Sequence, residues 1–120
     1  MWIMEFHNHN DCSKKIISKL PINREIEKVA EIFKLVSDPT RLKIMWLLSH
    51  CELCVNDICC AIKMTPPAVS HHLRLLKQLD LIQNRREGKE IYYKISNNKK
   101  ADSLHKSVDN MLDVNCKCFE

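Results

Sequence analysis

TPPAVSHHLRLLKQLDLIQNRREGKEIYYKI, residues 65–95, holds two periodicities in succession. Thr65-Pro66-Pro67 is a helix start: a hydroxyl residue, then prolines whose missing N–H costs nothing in a first turn. From there to about Leu79, Ala68, Val69, Leu73 and Leu76 share one helical face. Ser70, His71, Arg74 and Lys77 lie on the other. Past Asp80 the period becomes that of strands. Leu81–Arg85 and Glu90–Ile95 read as two strands, with Arg86-Glu87-Gly88-Lys89 as the hairpin tip. Gly88 is the chain's one glycine, and it falls where a tight turn calls for positive φ.

Upstream, Asp38 precedes Pro39, a cap followed by proline at the first helical position. The helix it opens runs through Leu42, Met45 and Leu48 to about His50. Before it, Ile22, Ile26, Val29, Phe33 and Val36 recur at helical spacing from Asn23 onward. A short helix is expected at about 55–62, and a last one from about Lys99 to Val114 with Leu104, Val108, Met111 and Leu112 on one face. Helices followed by a two-stranded wing make a winged helix-turn-helix, mainly α with a β-hairpin. In that arrangement the helix behind Thr65 lies in the major groove. The candidate DNA contacts are then Thr65, Ser70, His71, His72, Arg74 and Lys77, with Arg85, Arg86 and Lys89 of the hairpin for phosphates or the minor groove.

Bulk properties agree. The chain has 120 residues, one domain's worth, with a net charge of +4. Residues 63–95 hold seven Lys/Arg against three Asp/Glu, an excess equal to that whole net charge. A locally basic middle suits a polyanion. No apolar run exceeds five residues, as at Ile44–Leu48, so no membrane-spanning helix is expected. The start lacks a basic stretch ahead of an apolar one, so we expect no signal peptide and a cytoplasmic, reducing location. There, seven cysteines read as metal ligands or redox thiols before they read as disulfides. We divide the chain into an arm at 1–21, a DNA-binding and dimerisation domain at 22–114, and a cysteine-containing tail at 115–120.

Four stretches together resemble the ArsR/SmtB family of bacterial repressors over about residues 25–96. Ser37-Asp38-Pro39-Thr40-Arg41-Leu42-Lys43-Ile44 resembles its second-helix motif, and Glu52-Leu53-Cys54-Val55-Asn56-Asp57-Ile58 its metal box of the ELCVCD type. Ala68-Val69-Ser70-His71-His72-Leu73-Arg74 is similar to its recognition helix, and Arg86-Glu87-Gly88-Lys89 to its wing tip. The resemblance implies a homodimer through the first and last helices, bound to double-stranded operator DNA and released by an inducer. The box places the chain nearest the cadmium-sensing branch.

Three candidate inducer sites follow, each departing from a family pattern. In the thiolate-rich branch two cysteines of the box join cysteines of the arm. Cys54 matches the first, Asn56 replaces the second, and Cys12, His9 and His7 are the arm's donors, with Asp57 adding an oxygen. Zinc sensors of the family use the last helix. Here His105 and Cys116 have that spacing, Ser103 stands where an acid would be expected, and Asp102, Asp109 or Cys118 would have to substitute. A third possibility is thiol chemistry at Cys51, Cys59 and Cys60, for arsenite, antimonite, persulfide or an oxidant. The inducer is therefore expected to be Zn, Cd or Pb, or an ion of the As/Sb class. Thiol sensing is the alternative. No Ser/His/Asp set or phosphate loop appears, so we expect no enzyme, no small-molecule substrate and no membrane partner.

Overall fold

The structure, a computed structural model, describes residues 11–113. Contacts divide the chain into two units, Met1–Glu31 and Ile32–Glu120. In the first, α1 spans Asp11–Ser18 and buries nothing, and α2 (Asn23–Val36) begins. Ile16, Leu20, Ile22, Ile26 and Val29 are all exposed, so this apolar stripe is left uncovered by the described residues.

The second unit holds the core. α2 ends with Val36 buried, and Asp38 turns the chain: its carboxylate accepts from the Arg41 N–H at 3.0 Å, capping α3 (Pro39–His50). Arg41 Nε donates to the Leu35 carbonyl at 2.8 Å, tying the first turn of α3 to the last turn of α2. α3 buries Ile44, Met45 and Leu48. A two-residue strand, β1 (Leu53–Cys54), leads into α4 (Val55–Ile62), which stops where Lys63 adopts φ +56°. α5 (Pro66–Gln78) follows, then β2 (Ile82–Glu87), β3 (Glu90–Ile95) and α6 (Lys99–Met111). Val69, Leu73 and Leu76 of α5 meet Ile44, Leu48 and Ile58 in the interior, each 1% exposed or less. At roughly 1.5–3 kcal/mol per buried side chain, this seam holds α5 against α3 and α4.

The winged-helix fold expected from the sequence is present, with four local differences. The Thr65 hydroxyl makes no capping bond; Thr65 supplies only the extended backbone that precedes the prolines. The turn is tighter than Arg86–Lys89: β2 reaches Glu87, which pairs with Glu90, leaving Gly88 (φ +63°) and Lys89 to turn the chain. β1 adds a third strand, pairing Leu53 with Tyr93 and Cys54 with Tyr92 in the order β1-β3-β2. A two-residue strand has no periodicity of its own and exists only through its neighbour. α6 ends at Met111, short of Val114, and Asp113 is left-handed (φ +56°). Leu104 of that helix is buried, while Met111 and Leu112 stay exposed. No helix among the described residues is long and apolar enough to cross a membrane.

Candidate functional site

The buried seam of α5 decides which of its polar side chains face out. His71, Arg74 and Lys77 are exposed and Ser70 is half-buried. His72 is different: it is half-buried and its Nδ1 is enclosed without a hydrogen bond. Desolvation lowers its pKa below the ordinary 6.5, with the nearby Asp38 charge opposing. A base-edge contact by His72 therefore requires it to leave that setting, whereas His71 and Arg74 already face solvent. Lys77 Nζ donates to Asn84 Oδ1 at 3.1 Å, joining α5 to β2.

On the hairpin the cations differ in availability. Arg85 donates to Glu52 through Nε at 2.9 Å, to Glu87 through Nη1 at 2.6 Å, and lies over the Tyr92 ring at 5.1 Å. The bonds to Glu52, then Glu87, raise the Arg85 pKa, and the same guanidinium lowers that of Glu52. Arg86 Nε donates back to the Gly88 carbonyl at 3.2 Å. Lys89 is exposed at the tip.

Of the first proposed ligand set, Cys54 and Asp57 come together. The Cys54 thiol, 8% exposed, donates to Asp57 Oδ2 at 3.2 Å. The geometry follows from sequence, since Cys54 occupies the N-cap position of α4, without a side-chain capping bond, and Asp57 lies in the helix's first turn. Cys12 is exposed on α1, and His7 and His9 lie outside the described residues. Among the thiol candidates, Cys51 and Cys60 are exposed and Cys59 is half-buried.

The second set is divided. Cys116 and Cys118 lie outside the described residues. Asp102 points outward and pairs with Lys106 at 2.9 Å. His105 and Asp109 meet, with His105 Nδ1 3.3 Å from Asp109 Oδ2. The third member of their cluster is a residue sequence reasoning missed: His50, whose Nε2 is 3.4 Å from Asp109 Oδ1. The ligand atoms of His50, His105 and Asp109 all lie within 4.8 Å of one another, and Asp109 is 4% exposed. The i,i+4 spacing of His105 and Asp109 is legible in sequence. His50, at the end of α3, carries no signal linking it to α6. Two imidazoles and a carboxylate are a donor set that suits a borderline divalent ion.

Comparison with known proteins gives this geometry its setting. Residues 38–84 match the family described as bacterial regulatory protein, arsR family. The chain is 42% identical to a cadmium resistance transcriptional regulatory protein CadC homolog of Staphylococcus aureus, over 72% of each chain. It is 36% identical to a transcriptional repressor SmtB homolog of Synechocystis, over 74% of this chain and 67% of that one. Among solved structures, a homodimeric winged helix-turn-helix DNA-binding domain from Mycobacterium bovis superposes with a TM-score of 0.65 at 27% identity. That match covers 90% of this chain and 91% of the other.

Proposed function

The chain belongs to the arsR family of bacterial regulatory proteins, and from that premise we propose that it is a cytoplasmic, homodimeric repressor released from operator DNA by a soft or borderline metal ion. The relatives are transcriptional regulators, which makes this chain a regulator and not an enzyme. The observation that carries the DNA half is the solvent-facing pair His71 and Arg74 on a helix whose opposite side is locked into the core. Arg74 can fork onto a guanine edge in the major groove, and Lys89 can meet phosphate from the wing. Dimerisation would cover the exposed stripe of Ile22, Ile26 and Val29 and set two recognition helices a helical turn apart.

The metal half is supported by donor chemistry: the Cys54–Asp57 pair at the head of α4 and the imidazole-carboxylate cluster. Ion binding that favours a dimer geometry with badly spaced recognition helices lowers DNA affinity. DNA then lowers metal affinity by the same factor. Thiols and imidazoles lose protons on binding, so release from DNA weakens at lower pH.

The test is operator binding by fluorescence anisotropy with fully reduced protein, with and without cadmium or zinc. Release by either ion, reversed by a chelator, is expected. An operator complex indifferent to both ions but dissolved by persulfide or peroxide would replace metal sensing with thiol sensing.

A further inference from the structure

We propose that Glu52 and Arg85 are positioning residues that carry ion binding at Cys54 across the sheet to the tip of the wing. The carrier is one cross-strand row. In the order β1-β3-β2, Cys54 pairs with Tyr92, and Tyr92 pairs with Arg85. Residues paired directly across strands point to the same face of a sheet. Arg85 accordingly crosses Tyr92, 5.1 Å from the ring centroid, and reaches the far side of β3. There its Nε and Nη2 both donate to Glu52 Oε1, the Nε bond at 2.9 Å, two residues before Cys54. The segment that carries Cys54 and the wing are thus joined twice, by backbone pairing through β3 and by side chains over it.

An ion pair at the surface contributes little stability by itself. Its value here is geometric. Arg85 Nη1 also donates to Glu87 Oε2 at 2.6 Å, beside the turn, and Arg86 Nε bonds the Gly88 carbonyl at 3.2 Å. One guanidinium therefore spans from the start of β1 to the turn that carries Lys89. At the other end of the row, Cys54 is buried and its thiol donates to Asp57 Oδ2 at 3.2 Å. An ion taken by that sulfur replaces this hydrogen bond with a metal–thiolate bond, and the thiol proton goes to solvent. β1 is two residues long, so a displaced Cys54 has little strand of its own to absorb the shift. The shift passes to Tyr92 through the ladder and to Arg85 through Glu52.

The inference rests on the metal-responsive reading above and names its route. A second route exists, because α4 also packs on α5. Ion binding at the head of α4 would then reach the recognition helix without involving the wing, and the experiment separates the two.

Full-length reduced protein is titrated with Cd(II). The readouts are thiolate-to-metal absorption, NMR of the Gly88 amide and the Arg85 Nε–H, and operator anisotropy. In the unaltered protein both NMR signals should shift as the absorption saturates. In Glu52→Ala the absorption should remain and the Gly88 shift should vanish. The fall in operator affinity on adding Cd(II), roughly 5–150-fold where two sites are coupled, should shrink to less than about 2-fold in that variant. Glu52→Gln keeps an oxygen for Arg85 to bond and should retain most of both responses. Gly88 and Arg85 signals that stay put at saturating Cd(II) would overturn the relay. So would a Gly88 shift that survives Cys54→Ser or Glu52→Ala. If Cd(II) releases the operator equally well from Glu52→Ala, the metal-responsive reading stands and the relay falls. If Cd(II) shifts both signals through Glu52 yet leaves the operator bound, the relay stands and the metal-responsive reading falls.

Discussion

The recognition helix and the wing are both basic, but they hold their cations in opposite ways. On α5, Arg74 extends from a helix anchored by Val69, Leu73 and Leu76, and its charge faces solvent. On the hairpin, Arg85 is occupied by Glu52 and Glu87, Arg86 folds back on the turn, and only Lys89 faces out from the tip without a described bond of this kind. The same residue types therefore differ in what they can offer DNA. The Arg85 network joins the wing to the β1 segment and so stiffens the hairpin as a platform for Lys89.

The sharpest way to break this comparison is Arg74→Ala. We expect it to cost about 1–3 kcal/mol on a specific operator and much less on unrelated DNA, measured by anisotropy on both. Equal losses would move Arg74 from base reading to phosphate contact. Next is Asp38→Ala, which removes the cap of α3, the helix that packs against α5, and should lower folding stability by about 1 kcal/mol in denaturant titration.

The wing is tested by salt. Lys89→Ala should weaken all DNA alike and reduce the slope of log affinity against log salt by about 1, while Arg85→Ala should leave that slope nearly unchanged. A matching drop for Arg85 would mean that it abandons Glu52 on the operator.

The smallest effect concerns pH. Burial lowers the His72 pKa below its ordinary 6.5. The unfolded chain then takes up the proton first, so stability is full above that ordinary value and falls as pH drops through the lowered one. Denaturation midpoints between pH 7.5 and 5.5 should decline in wild type and decline less in His72→Gln. Asp38 behaves likewise at lower pH. The Arg41 N–H holds its carboxyl below the usual 3.8, and that stabilisation disappears as pH falls through the folded value.

Much of the scaffold was legible because its signals are local. Asp38-Pro39 and Thr65-Pro66-Pro67 start helices through their own backbone restrictions, and the 3.6-residue spacing on α5 already separates Val69, Leu73 and Leu76 from Arg74. Gly88 marks the turn because few other residues accept its φ. The site was only partly legible. Cys54–Asp57 and His105–Asp109 are pairs three and four residues apart, within reach of helical geometry. His72, named among the candidate DNA contacts, is half-buried with its Nδ1 enclosed, a setting that its position on the helix motif does not reveal.

By itself, then, the sequence determined the order of helices and wing, the face of α5 that packs and the family. Each of these depends on residues within a turn or two of one another, or on motifs read in line. Only the tertiary structure decided that β1 pairs with β3, that Glu52 holds Arg85 from 33 positions away, and that His50 reaches Asp109 across 59. Those partners meet because separate elements bury their apolar faces in one core, and no spacing along the chain encodes which surface polar groups that packing brings together.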